Sequence, residues 1–168
     1  MRVFEENQKF TQSWLMVVVG ISLLVPFILI IKEWNEKIDK SFQANMDLLV
    51  TFGILVIALI PIILMKLTTR IDNVGVHYQF FPFHLKPKVI TWNEIDKVYV
   101  RKYSPITEYG GWGFKGNFFN KNKGISFSVS GNIGIQIIPK KGKKILIGTQ
   151  LGEKAKQALD YNLNKDYE

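Results

Sequence analysis

The residues best suited to chemistry in this chain fall into three groups: glycines at 111, 113 and 116, histidines at 77 and 84, and lysines at 140, 141, 143 and 144. Gly111, Gly113 and Gly116 satisfy the G-x-G-x-x-G spacing of a phosphate-cradling loop. Such a loop needs a strand before it and a helix N-terminus after it to receive the phosphates. The segment after Gly116, NFFNKNKGISFSVS, reads as loop and strand, and Asn117 and Phe118 stand where a P-loop carries lysine and Ser/Thr. The glycines are therefore read as a tight turn around a packed Trp112. His77 and His84 are the two histidines, and neither has a metal-ligand spacing to a second ligand. On a strand pattern they face opposite sides, as surface or half-buried rings. Glu94 and Asp96 flank Ile95 where Glu94 has a structural task, and no serine lies in a nucleophile-elbow context. The absence of cysteine removes thiol nucleophiles, thiolate metal sites and disulfides together. No catalytic residue, metal site or cofactor is expected, and the chain is not read as an enzyme.

The lysines are the better candidates. Lys140, Lys141, Lys143 and Lys144 crowd one turn around Gly142, and Lys86 and Lys88 around Pro87 form a second basic tip. Near a membrane, each such charge is attracted to anionic headgroups by about 1 kcal/mol within a Debye length. The competing reading is a solvated turn kept soluble by its charge.

Among the elements that must position these residues, two early segments stand out. Residues 14–31 read WLMVVVGISLLVPFILII and residues 48–65 read LLVTFGILVIALIPIILM, both without a charged side chain. An 18-residue helix reaches roughly 27 Å, close to the hydrocarbon thickness of a bilayer. Pro26 and Pro61 are tolerated in lipid where neighbouring groups satisfy the freed carbonyls. The polar stretch 32–47 is short, so the two spans are expected to form a hairpin. Glu5 and Glu6 in the leader, and the lack of a small-x-small cleavage site, favour a retained segment over a signal peptide. Arg2, Lys9, Lys66 and Arg70 outnumber Lys32, Lys37 and Lys40 by four to three, which leans toward a multi-pass cell-membrane protein with both termini cytoplasmic. Of the chain's 22 basic and 14 acidic residues, 5 and 6 lie within 1–65, leaving 17 and 8 for 66–168. The chain thus divides into an N-terminal tail (1–13), a transmembrane hairpin (14–65) and a basic domain (66–168).

Beyond residue 66 the apolar residues alternate in short runs broken by Gly, Pro and Asn, the pattern of antiparallel strands. Ile125, Phe127 and Val129 oppose three serines, Gly131-Asn132 supplies a two-residue turn, and Ile133, Ile135 and Ile137 resume the buried face, predicting a hairpin. Residues 144–147 return as a third strand, and 71–81 hold two short strands or one bent one. Thr91 and Glu94 have capping-box spacing, with Trp92 and Ile95 burying one face of a single turn. Leu151, Ala155, Ala158, Leu159 and Leu163 recur at helical spacing, with Thr149 as N-cap and Glu153 in the first turn. The turn ITWNEID (90–96), the segment GGWGFKG (110–116) and the stretch GNIGIQIIPKKGKKILIGTQ (131–150) leading into the helix resemble bacterial pleckstrin-homology-like domains across residues 68–163. The resemblance implies an α+β fold: a transmembrane hairpin, then a bent, partly split barrel of about seven strands plugged by the C-terminal helix.

The function expected from these features is a non-catalytic binding or assembly module held at the membrane. It would contact anionic lipids through Lys140, Lys141, Lys143, Lys144, Lys86 and Lys88, or pair with a membrane protein or a second copy through strand edges near 97–103 or 124–130. The alternative is a small accessory subunit of a transport or export complex, although no ionisable residue lies inside either span. Tethering to a bilayer disfavours nucleic acid as the partner of the basic domain.

Overall fold

A computed structural model describes residues 3–36, 42–116 and 124–164. Arg2, Lys37 and Lys40 of the orientation count, and residues 117–123 after the glycines, lie outside the described residues. The chain separates into two compact units, Phe10–Leu64 and the combination of Met1–Lys9 with Met65–Glu168.

The first unit holds two helices, α1 (Ser13–Glu36) and α2 (Phe42–Leu64). In α1, Ser13–Lys32 is long and apolar enough to cross a membrane, whereas the apolar part of α2, Leu49–Leu64, is shorter. The ring centroids of Phe27 and Phe52 lie 5.9 Å apart, joining the two helices. Outward-facing side chains are as apolar as the contact itself, with Leu24, Ile28 and Ile57 all more than half exposed. A soluble helix hides one stripe; this pair displays hydrocarbon all round.

The second unit begins where a tail is expected. Phe4–Lys9 is a strand, β1, not a tail, and its burial alternates so that Phe4, Glu6 and Gln8 face inward. It pairs antiparallel with β2 (Lys66–Ile71), from Phe4 opposite Ile71 to Lys9 opposite Lys66. The two helices are thus inserted between neighbouring strands of one sheet. β3 (Gly75–Phe81) and β4 (Lys88–Thr91) complete a four-stranded sheet in the order β1-β2-β3-β4. Asp72 shapes the β2–β3 turn by accepting the Val74 and Gly75 N–H groups at 2.9 and 3.3 Å, and Arg70 and His77 approach the same carboxylate at 3.1 and 3.0 Å.

A 3₁₀ turn at Trp92–Glu94 leads into the second sheet. As expected, Glu94 closes the turn, its carboxylate accepting from the Thr91 backbone N–H at 3.0 Å and the Thr91 hydroxyl at 2.8 Å. This sheet contains β5 (Ile95–Lys102), β6 (Gly113–Gly116), β7 (Ile125–Ser128), β8 (Ile133–Pro139) and β9 (Ile145–Gly148), in the order β5-β8-β9-β7-β6. A short helix, α3 (Pro105–Tyr109), precedes β6 and ends at Gly110, whose φ of 77° only glycine adopts freely. Among the described residues, 66–168 hold eight strands against the about seven expected there, and β1 adds a ninth from outside that range.

The predicted β7–β8 hairpin does not form, because β9 lies between them, antiparallel to β8 and parallel to β7. The linker after β7 is held elsewhere: Tyr103 N–H donates to Asn132 O, and Trp112 Nε1 to Gly131 O, both at 2.8 Å. With β5 on one side of β8, only its other edge is left, and the chain returning through 140–144 fills it. β7 is also buried on both faces, Ser126 and Ser128 being as inaccessible as Phe127. Its small serines admit a close neighbour: a Cβ on Gly148 would lie 2.8 Å from that of Ser128.

The closing helix, α4 (Gly152–Asn164), packs on β5 and β8 and also on β1 and β2, bridging both sheets. Its buried stripe is Gly152, Ala155, Ala158, Leu159 and Asn162; Leu151 is exposed, outside the helix, and Leu163 half-buried, so the predicted stripe is rotated. Gly152 lets the first turn sit against Ile133, where a Cβ would approach Cγ2 to 2.9 Å. Thr149 stands too early for the N-cap, and its hydroxyl instead accepts the Leu151 N–H at 3.1 Å.

Candidate functional site

The position of β1 determines where every basic loop lies relative to the point at which the chain leaves for α1. β1 is fastened across the domain by its inward polar side chains. Glu6 is 6% exposed, and its carboxylate accepts the Thr149 hydroxyl at 2.5 Å and the Gln150 N–H at 2.8 Å. Gln8 Nε2 donates to Gly148 O at 2.8 Å. One end of the four-stranded sheet is therefore marked by Lys9, Lys66 and Phe81, which are consecutive cross-strand partners. The other end, five residue steps or about 17 Å away along β2, is marked by Phe4, Ile71 and Val76.

The six candidate lysines do not form one surface. Lys140, Lys141 and Lys144 are exposed and Lys143 half-buried at the β8–β9 tip. The tip is tied to the far end of the first sheet, since Lys140 N–H donates to Glu94 O at 2.8 Å and the Glu94 turn comes directly after Thr91, the partner of Gly75. Lys140, Lys141 and Lys143 rim a groove of about 510 Å³ with an apolar floor of Val89, Ile90, Pro139 and Ile145. Lys144 points to a different depression, shared with Tyr99, Arg101, Glu108 and Tyr109. In that second depression Arg101 holds Glu108 through two contacts, at 2.7 and 3.2 Å, and also reaches Gln136 Oε1 at 3.1 Å. The hydrogen bond from Arg101, against partial burial, keeps the Glu108 carboxyl below the usual range.

Lys86 lies in the β3–β4 loop and Lys88 is the first residue of β4, opposite Tyr78; both are exposed. His84 anchors this loop and is 8% exposed, buried rather than the surface or half-buried ring that a strand pattern implies. Its ring lies among Tyr78, Phe114 and Phe127, with centroids 5.0 to 6.3 Å away. Burial, reinforced by the charge of Lys88, pushes the imidazole below its ordinary value, so the ring is neutral at neutral pH. His77, by contrast, is paired with Asp72, so the two histidines serve separate structural contacts.

Of the two strand edges expected to be open, one is unpaired among the described residues. β5 is the outer strand of its sheet, while β7 is hydrogen-bonded on both sides. Beside the β5 edge lies a groove of about 620 Å³, walled by Val98, Val100 and Ile133 on one side and Leu151, Lys154 and Leu159 on the other. Tyr99 is 43% exposed along this edge. An extended segment laid there would gain backbone hydrogen bonds from β5 and apolar contact from the helix. Sequence reasoning finds the edge but not its helical wall, because helical spacing places Leu151 in the buried stripe.

The glycines at 111, 113 and 116 come after α3 and run into β6, so a strand and not a helix N-terminus takes up the glycine segment. Among the described residues no three His, Asp or Glu side chains converge as metal ligands. No family model matches the chain, and no curated protein or solved structure is significantly similar to it.

Proposed function

We propose that this chain is an integral membrane protein in which a two-helix transmembrane hairpin presents a PH-like, non-catalytic β domain at the cytoplasmic face as a binding or assembly module. The observation carrying the reading is the insertion of apolar helices between β1 and β2, whose Lys9 and Lys66 are direct partners. A chain that leaves a sheet and re-enters it at the neighbouring position crosses a bilayer an even number of times. If α1 spans, the segment containing α2 returns. Its apolar stretch Leu49–Leu64 reaches roughly 24 Å, within what local thinning and flanking polar residues accommodate. Two sheets bridged by a C-terminal helix support the PH-like comparison, although the parallel β7–β9 pair departs from an all-antiparallel barrel. The open β5 edge and its groove offer the partner site, where tethering allows weak contacts to suffice.

The test is alkaline carbonate extraction of native membranes, then photocrosslinking from a probe at Tyr99. The full chain should stay with the membrane pellet and crosslink to a second copy or a membrane protein. Release by carbonate would end the membrane reading, and crosslinks spread equally over Tyr99 and an exposed control at Asn93 would end the β5 reading.

A further inference from the structure

The β3–β4 connection, from the last residue of β3 to the first of β4, does more than carry two lysines. Phe81 is 36%, Phe83 54% and Leu85 79% exposed, three large apolar side chains within five residues, with Lys86 and Lys88 immediately after them. The loop that displays them is braced. His84 N–H donates to Phe80 O at 2.8 Å, and Gln79 Nε2 donates to the carbonyls of both His84 and Leu85 at 3.1 Å. Phe83 stacks on Phe80 at 5.8 Å and meets Phe114 at 5.4 Å. Leu85 is thus held out in water beside Phe83 and His84, which are fixed, an arrangement that favours a missing apolar environment.

Register identifies that environment. Phe81 pairs with Lys66, and Lys66 pairs with Lys9. The exposed apolar residues therefore begin at the sheet end from which the chain departs for α1 and to which it returns from α2. The Lys140–Lys144 tip is tied to the opposite end. We propose that the β3–β4 loop is a second membrane contact, in which Phe83 and Leu85 enter the bilayer interface while Lys86 and Lys88 engage anionic headgroups. Apolar tips with basic flanks match the layering of an interface, where the acyl boundary lies beneath a negative headgroup plane. The inference rests on the reading of the helices as a membrane anchor and deepens it.

Because the chain has no cysteine, a single probe can be placed without background. Leu85→Cys and Lys141→Cys versions of the full chain, each carrying an environment-sensitive fluorophore, are reconstituted in nanodiscs of phosphatidylcholine with or without phosphatidylglycerol. The Leu85→Cys label should show blue-shifted emission, quenching by doxyl-labelled lipid and protection from iodide; the Lys141→Cys label should show the reverse. In the Leu85→Cys background, Lys86→Glu with Lys88→Glu should reduce lipid quenching in anionic discs and leave it unchanged in neutral ones. Iodide quenching at 85 equal to that at 141 overturns the loop contact while the anchor stands. Shielding at 85 from both quenchers also overturns it, by indicating a protein surface. Failure of the chain to enter nanodiscs removes the anchor and the loop contact together.

Discussion

Removing the carboxylate of Glu6 tests the claim that Phe4–Lys9 belongs to the β domain. The carboxylate is the acceptor for the Thr149 hydroxyl and the Gln150 N–H, and Thr149 is 1% exposed. Glu6→Ala leaves both donors without that partner and opens a gap beneath β1. Leaving the buried Thr149 hydroxyl unsatisfied costs about 1–3 kcal/mol, and the part-buried Gln150 N–H, which water can reach, adds less, so a loss of roughly 1–4 kcal/mol is expected, a large part of the stability of an ordinary domain. The measurement is cleanest in a chain whose residues 10–65 are replaced by Asn-Gly, since Lys9 opposite Lys66 is the closing pair a two-residue turn requires. Urea unfolding monitored by Trp92 and Trp112 emission should then show the midpoint lowered by about 1–2 M in Glu6→Ala. Glu5→Ala, on the exposed face of the same strand, should change stability by less than about 0.5 kcal/mol. Equal midpoints for the two variants would refute the buried role of Glu6. A fragment of residues 66–168 as stable as the fused chain would refute the wider claim that β1 is a structural strand.

Gly75→Ala should destabilise the same fused protein by a few kcal/mol, since the new Cβ would lie 2.2 Å from Ile90 O and 2.8 Å from Thr91 Cα; an unchanged midpoint would contradict the β3–β4 approach. Glu108→Gln should cost no more than about 1 kcal/mol at pH 7, because its pair with Arg101 is about a third exposed. With the folded carboxyl held below its ordinary value, this contribution is complete above the usual carboxylate range and disappears as pH falls through the folded value. Urea midpoints of wild type and Glu108→Gln should therefore converge on acidification, and a gap that widens would be the wrong sign. For the hairpin-less protein, Lys86→Glu with Lys88→Glu should lower co-sedimentation with anionic vesicles by more than about tenfold, at about 1 kcal/mol per lysine. Reversing Lys140, Lys141 and Lys143 should alter it by less than about twofold, and the opposite ranking would return the lipid contact to the β8–β9 tip.

Several features are legible in the residues themselves because they depend on local chemistry. The apolar helix Ser13–Lys32 comes from composition alone, the Thr91–Glu94 turn from spacing three residues apart, and the returning strand Ile145–Gly148 from a glycine-centred tip. Each requires only neighbours in sequence. The strand FEENQK gives no such signal, because five of its six residues are polar and two glutamates and a lysine beside a hydrophobic run read as a solvated leader.

Only the tertiary structure decided that Glu6 and Gln8 face inward, because their partners, Gly148 to Gln150, lie about 140 residues away. The same applies to β7, whose serines suggest a wet face although Ser126 and Ser128 are fully buried in the folded domain. The lysines show the division most clearly. Sequence proximity groups Lys140 to Lys144 and separates them from Lys86, but it cannot say which group lies toward the end of the sheet where the chain leaves β1 and re-enters β2. Cross-strand register answers that question, through Lys9, Lys66 and Phe81, because hydrogen-bonded pairing brings into contact residues that the chain itself keeps far apart.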